Sequence, residues 1–271
     1  MYKLIALDMD GTLLNDDKKV SEKTKEALRK AKELGVYVVL ASGRPIDGLL
    51  KYLEELDLLG EDDYVLSYNG CLVQKTKSRD VVCDVTIKGS DLKYLKGLAD
   101  EAGLNIHGFS KEKGLITPKE NKYTSYEAHH NNIDFHIDDF KDIKDDEEII
   151  KVMMIDEPDV LDEGIKKLPK EVYEKYTVAK SAPFFLEFLN KESGKGIGIK
   201  LLAEHLGIKE EEVIAVGDEM NDFSMIEYAG LGVAMGNACD KIKEIANYIT
   251  DTNNNDGVAK VIEEFIVKER I

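Results

Sequence analysis

No apolar run in this 271-residue chain approaches the ~20 residues that a bilayer-spanning helix needs. The N-terminus runs directly into Leu7-Asp8-Met9-Asp10, which leaves no room for a signal peptide. Cysteine is sparse: Cys71, Cys83 and Cys239 are scattered, odd in number, and make no Cys-x-x-Cys pair. Reduced thiols in a cytoplasmic protein are the expectation. Basic residues are short as well, 37 Lys and Arg against 54 Asp and Glu, for a formal net charge of −17. Nucleic acid and anionic membrane are therefore poor partners. An anionic substrate fits only where the site supplies its own positive charge. The chain also lacks internal repeats and low-complexity tracts.

What is present reads as globular, with 43% apolar and 34% charged residues and length enough for one large core or two modest ones. Leu4 to Leu7 is an unbroken apolar run, suited to a strand buried on both faces of a parallel sheet. Asp8 and Asp10 follow at once. Period-two alternation would turn both side chains the same way, and two converging carboxylates need a positive partner. A hard divalent cation such as Mg²⁺ is the natural one. Gly11 permits a sharp turn, and the Thr12 hydroxyl is expected to bond back into it. The plain alternative is an acidic surface turn.

Ser21 has the character of an N-cap, with Ala27, Leu28, Ala31 and Leu34 at helical spacing and Gly35 as a stop. Val36 to Leu40 reads as a second strand, Ile46 to Leu56 as a helix opened by Pro45, and Tyr64 to Ser67 as a third strand. This alternation predicts right-handed crossovers, a parallel sheet, and a site at the carboxyl ends of its strands. After Tyr68-Asn69-Gly70 the texture changes. Cys71 to Gln74 and Val81 to Ile87 read as short strands and Asp91 to Ala102 as a helix. Asn105 to Asp146 is polar with little periodicity. Strands at Ile149 to Ile155, Tyr176 to Ala179 and Phe184 to Phe188 follow, with a helix at Asp159 to Leu168. The first pattern then returns, with a helix over Ile197 to Leu206, strands at Val213 to Val216, Leu231 to Met235 and Tyr248 to Thr250, and a last helix over Gly257 to Val267. The expected architecture is α/β: a doubly wound, Rossmann-like core of residues 1–83 and 189–271, with a smaller α+β domain, 84–188, inserted between its two halves.

Other residues join the acidic pair. Ser42 closes the second strand, where its hydroxyl and the Gly43 N–H are suited to a phosphate oxygen. Lys195 stands between Gly194 and Gly196 just before a helix and brings a compact positive charge to the helix start. Gly217-Asp218-Glu219-Met220-Asn221-Asp222 follows another buried strand. There Asp218 is placed to add a carboxylate to the cation, Asn221 to donate to phosphate and Asp222 to hold Lys195. A single acidic turn or glycine-flanked lysine is ordinary surface; two acidic turns closing buried strands of one sheet are not.

Taken in order, Asp8-Met9-Asp10-Gly11-Thr12, Ser42-Gly43-Arg44, Gly194-Lys195-Gly196 and Gly217-Asp218-x-x-Asn221-Asp222 resemble the four motifs of the haloacid dehalogenase phosphohydrolases. The insertion between the second and third resembles a type C2 cap. Lys151 to Pro158 and Lys180 to Glu187 resemble the Cof-type branch, which includes bacterial sugar phosphatases. Ser42 replaces a threonine of many relatives and keeps the hydroxyl. The resemblance implies a sugar-phosphate phosphatase with Asp8 as nucleophile, passing through an aspartyl-phosphate, and Asp10 as general acid and base. It further implies Mg²⁺ on the Asp8 carboxylate, the Asp10 carbonyl and Asp218. The phosphoryl group would be held by the N–H groups of Met9 and Asp10 and by Ser42, Gly43, Lys195 and Asn221.

Arg44 is either a substrate contact or a structural ion pair. Tyr123 and Tyr126 are half-buried aromatics or pocket lining. His129, His130, His136, Asp138 and Asp139 match no zinc spacing and read as a solvated segment. A phospho-accepting signalling module shares the acids, hydroxyl and lysine, but its acceptor follows a later strand and it carries no inserted cap. A phosphosugar mutase of the same superfamily is the nearer rival. The physiological substrate and the oligomeric state are not legible.

Overall fold

The computed structural model describes residues 1–270. The chain forms two compact units, Met1–Asp84 with the segment from Gly194 onward, and Val85–Ser193. In the first, β1 (Leu4–Asp8) is buried at every residue. The Ser21 hydroxyl caps α1 (Glu22–Glu33) by accepting from the Thr24 N–H at 3.1 Å, the arrangement that favours serine at helix starts. β2 (Tyr37–Ala41) follows. The single helix expected over 46–56 is instead a 3₁₀ turn, Ile46–Gly48, and a short α2 (Leu50–Glu55). Gly48 interrupts the segment where helix propensity is poorest. β3 (Tyr64–Ser67) falls where the sequence put it, and β4 (Leu72–Lys75) and β5 (Val81–Asp84) add an antiparallel ribbon.

The second unit begins with β6 (Ile87–Lys88), so the one strand expected over 81–87 is two, in different sheets. Next come α3 (Gly89–Ala102), β7 (Asn105–Ser110), β8 (Gly114–Thr117), α4 (Lys122–Asn131), β9 (Phe135–Ile137), β10 (Glu148–Ile155), α5 (Pro158–Ile165), α6 (Glu171–Lys175), β11 (Tyr176–Ala182) and β12 (Phe185–Asn190). Four of these lie in the stretch 105–146, where little regular structure was expected. Its polar residues obscure the pattern because several point inward and are satisfied there. His107 Nδ1 sits 3.1 Å from the Thr124 hydroxyl, and Thr117 donates to the Ile106 carbonyl at 3.0 Å. The strand order is β11-β12-β10-β7-β8-β9, with β6 also on β10. Leu92, Leu95 and Ala99 of α3 share a core with Ile106, Val152, Met154, Leu186 and Phe188. β12 continues past residue 188 to pair Asn190 with Tyr176, and the Asn190 amide donates to the Thr86 carbonyl at 2.7 Å. Residues 189 and 190 thus belong to this sheet rather than to the core.

The first unit then resumes with α7 (Lys195–Leu206), β13 (Val213–Gly217), α8 (Phe223–Tyr228), β14 (Leu231–Ala234), α9 (Asp240–Ile245), β15 (Tyr248–Ile249) and α10 (Gly257–Ile262). The last helix goes on as a wider π turn, Glu263–Val267. The sheet order is β15-β14-β13-β1-β2-β3-β4-β5, parallel from β15 to β3. α1 packs on α10 and α7 on α8. β1 and β13 are wholly buried and hence covered on both faces. This is the Rossmann-like α/β core expected, lengthened by the antiparallel ribbon.

Candidate active site

The carboxyl ends of β1, β2 and β13 lie side by side, because β1 pairs with both of the others. Asp8 ends β1, Ser42 follows β2, and Asp218 follows β13. Lys195 opens α7 and is wholly buried, with its ammonium 2.5 Å from Asp8 Oδ1 and 2.6 Å from Asp222 Oδ1. The second oxygen of Asp222 accepts from the N–H groups of Asp218 and Glu219, at 2.9 and 3.1 Å. Both Asp222 oxygens are thus engaged, and its evident work is to hold Lys195 and the turn.

The side-chain oxygens of Asp8, Asp218 and Asp222 come within 4.8 Å of one another, and all three residues are buried. Among the described residues this is the one such group of metal-ligating side chains. Three carboxylates against one ammonium leave two negative charges unbalanced. Burial pushes the Asp8 carboxyl up to about 7; Lys195 opposes this and Asp222 and Asp218 add to it. Burial likewise pushes Asp218 up to about 6, against the Thr12 hydrogen bond. For Lys195 burial works against the charge, but Asp8 and Asp222 outweigh it and raise the pKa. An all-oxygen, over-acidic cluster fits a hard divalent cation and no soft one.

Two expectations about the first turn need correction. The Thr12 hydroxyl does not bond back into its own turn; it donates across to Asp218 Oδ1 at 2.8 Å. Asp10 does not continue the strand alongside Asp8. β1 ends at Asp8, residue 10 bridges to Leu14, and its carboxylate is exposed and outside the acidic trio. It lies between Lys18 Nζ at 2.8 Å and Arg44 Nη2 at 2.6 Å. Partial burial raises its pKa, but the two cations outweigh that and leave it below the usual carboxylate range. Arg44 is therefore an ion-pair partner here. Gly11 has φ +83°, and a Cβ there would come within 2.2 Å of Asp218 Oδ2. That turn demands glycine twice over, by conformation and by space.

Met9 is buried, and its carbonyl accepts from the Leu14 N–H at 2.8 Å. The buried Ser42 hydroxyl accepts from the Arg44 N–H at 3.2 Å. A Cβ on Gly43 would meet the Asn69 amide at 3.2 Å, so Asn69 stands directly over that turn. Asn69 also receives a long 3.4 Å contact from the exposed Asn221 amide. Asn69 and its neighbour Tyr68 have φ of +56° and +53°; hydrogen bonds from their N–H groups to the Ser42 and Arg44 carbonyls, 2.8 and 3.1 Å, hold them there. Sequence reasoning took Tyr68-Asn69-Gly70 as the entry to the inserted domain and gave Asn69 no place in the site, and it did not single out Lys18. Tyr68-Asn69-Gly70 was a signal for the first; Asp16-Asp17-Lys18-Lys19 carries none for the second.

In the other unit, Tyr123 stacks on Phe184 with centroids 4.7 Å apart and donates its hydroxyl to Glu157 at 2.9 Å. Tyr126 is exposed and stacks on His130. His129 and His130 lie in the last turn of α4, His136 is exposed, Asp138 pairs with Lys113 and Asp139 with Lys141. These residues form no metal cluster.

The sequence matches the haloacid dehalogenase-like hydrolase family over residues 5–262. It is 45% identical to a putative phosphatase, YxeH, of Bacillus subtilis, over 98% of this chain and 99% of that one. It is 33% identical to the B. subtilis 5-amino-6-(5-phospho-D-ribitylamino)uracil phosphatase YcsE, over 98% and 96%. A solved haloacid dehalogenase-like hydrolase from Bacteroides thetaiotaomicron superposes with a TM-score of 0.84 at 34% identity, covering 98% of this chain and 100% of that one.

Proposed function

The chain belongs to the haloacid dehalogenase-like hydrolase family and is a phosphatase, and from that premise we propose that it hydrolyses small phosphorylated metabolites, sugar or sugar-alcohol phosphates first, with Mg²⁺. The observation that carries the reading is the buried Lys195 shared between Asp8 and Asp222, with the unbalanced carboxylate of Asp218 beside them. The phosphorylated ribityl chain in the name of the YcsE relative supports a polyol leaving group.

Asp8 attacks phosphorus as nucleophile; the Asp8–phosphorus bond forms as the ester P–O bond breaks. Asp10 gives its proton to the departing oxygen and then takes one from the water that hydrolyses the aspartyl-phosphate. The negative charge of a bound phosphate favours the protonated form of Asp10 that the first step needs. Lys195, Ser42, the N–H groups of Met9, Asp10 and Gly43, and Asn221 orient the phosphoryl oxygens, while Arg44 is within the same turn and available to a bound anion. Mg²⁺ would be held by Asp8, Asp218 and the Asp10 carbonyl and would neutralise phosphoryl charge. The unit Val85–Ser193 is proposed to select the leaving group, and the protein to work in the cytoplasm.

A screen of phosphorylated metabolites tests this, read as phosphate released with Mg²⁺ and with EDTA. Magnesium-dependent release from several sugar or sugar-alcohol phosphates is expected. Undiminished release in EDTA after dialysis would overturn the metal assignment, and isomerisation without phosphate release would favour the mutase.

A further inference from the structure

We propose that Lys18 is a positioning residue that sets the orientation of the Asp10 carboxylate. The inference rests on the reading of Asp10 as general acid and base. Asp10 sits on a turn beyond the end of β1, with 44% of its side chain exposed. A carboxyl there has two free torsions and little packing to fix them. One oxygen meets Lys18 and the other Arg44, from two different segments of the chain. The carboxylate is thereby strung between two cations. Arg44 adjoins the Ser42-Gly43 turn, and any engagement of its guanidinium by a bound anion leaves Lys18 as the remaining holder of Asp10.

The chain builds Lys18 into place with some care. Its backbone is left-handed, φ +57°, a region that non-glycine residues seldom occupy without a reason. A tight turn keeps it there. The Asn15 N–H donates to the Lys19 carbonyl at 3.0 Å, the Lys18 N–H to the Asn15 carbonyl at 2.9 Å, and the Lys19 N–H to Asn15 Oδ1 at 3.0 Å. The turn is itself moored 238 residues away. The Asp16 N–H donates to Asn254 Oδ1 at 3.1 Å, and the Asp16 carboxylate accepts from the Asn253 and Asn254 amides at 3.2 and 3.0 Å. The Lys18 side chain is itself 60% exposed, so its aim comes from the left-handed turn and the mooring of Asp16 rather than from packing. A lysine that must aim its ammonium at one carboxylate needs both, because small errors in the placement of an acid cost rate steeply.

The test compares two esters. An alkyl phosphate such as glycerol phosphate needs a proton on its leaving oxygen; p-nitrophenyl phosphate releases a stabilised anion and needs almost none. Lys18→Gly removes the ammonium while relaxing the left-handed turn, so the fold should hold, which thermal melting checks. Its kcat/KM for the alkyl ester should fall about 10-fold and for p-nitrophenyl phosphate less than about 2-fold, with Lys18→Arg restoring most of the loss. Asp10→Asn is the control and should show the same selectivity more strongly. If Asp10→Asn is selective but Lys18→Gly slows both esters alike, or neither, the role given to Lys18 is wrong and that of Asp10 stands. If Asp10→Asn slows both esters equally, the reading of Asp10 itself fails.

Discussion

Each unit buries one lysine between two carboxylates, and the two arrangements differ in ways that matter. In the core, Lys195 touches Asp8 and Asp222 at 2.5 and 2.6 Å. In the other unit, Lys151 on β10 lies 3.7 Å from Glu127 of α4 and 3.5 Å from Glu187 of β12, with its ammonium over the Phe109 ring. The core cluster carries a further acid, Asp218, and converges where three parallel strands end. The Lys151 cluster crosses the middle of a sheet; Ser181 donates to Glu187 at 2.6 Å, and burial, with Glu187, raises the Glu127 carboxyl despite Lys151. The core has the larger excess of acid, three carboxylates to one ammonium. A buried lysine–carboxylate group is thus not by itself a sign of chemistry; surplus charge at strand ends is what separates the two.

The sharpest way to break the comparison is Asp8→Asn. The amide keeps the shape but cannot form an acyl phosphate, so phosphate release should drop by about 10³-fold or more while the circular dichroism spectrum is unchanged. Near-normal turnover would remove the core cluster's claim to be the reacting centre.

A paired substitution sharpens it. Lys195→Met should lower turnover about 10²-fold or more on every substrate, and adding Asp222→Asn should recover thermal stability without recovering rate. Lys151→Met should leave p-nitrophenyl phosphate hydrolysis within about 3-fold and instead cost about 1–3 kcal/mol of folding stability, which Glu187→Gln partly restores. Equal catalytic losses at the two lysines would erase the distinction drawn between them.

The smallest effect is a pH dependence. Asp8 and Asp218 titrate at about 7 and about 6 in the fold, above the 3.8 of an ordinary aspartate. Between pH ~4 and ~7 these two groups therefore hold protons that they release in the unfolded chain, and their contribution to stability falls as pH rises, while His107, pushed down to about 3 by burial, works the other way. Mg²⁺ competes with those protons, so the rise in Tm on adding Mg²⁺ should be a few degrees larger at pH 8 than at pH 5. Asp218→Asn should shrink that difference. A magnesium shift independent of pH would show that these carboxylates do not hold the ion.

Much of this was legible because it is local. An apolar run ending in an acid, a serine ahead of helical spacing, and a lysine between glycines before a helix each act within a few residues. Hence β1, α1, β3 and the positions of Asp8, Ser42, Lys195 and Asp218 follow from the chain alone. The stretch 105–146 did not, since His107, Thr117 and Thr124 turn polar groups inward and cancel the alternation that marks a strand. The helix expected over 46–56 failed for the opposite reason: a local glycine outweighed a good apolar pattern.

The tertiary structure decided what depends on partners far apart in sequence. Thr12 meets Asp218 across 206 positions, Asp222 divides its oxygens between Lys195 and a backbone turn, and Asp10 points to Lys18 and Arg44 instead of lying beside Asp8. Sequence patterns report which groups a segment offers. Which offers are accepted is settled by desolvation, because a buried carboxylate takes whatever donors the packed fold brings within reach, and those come from other strands, helices and turns.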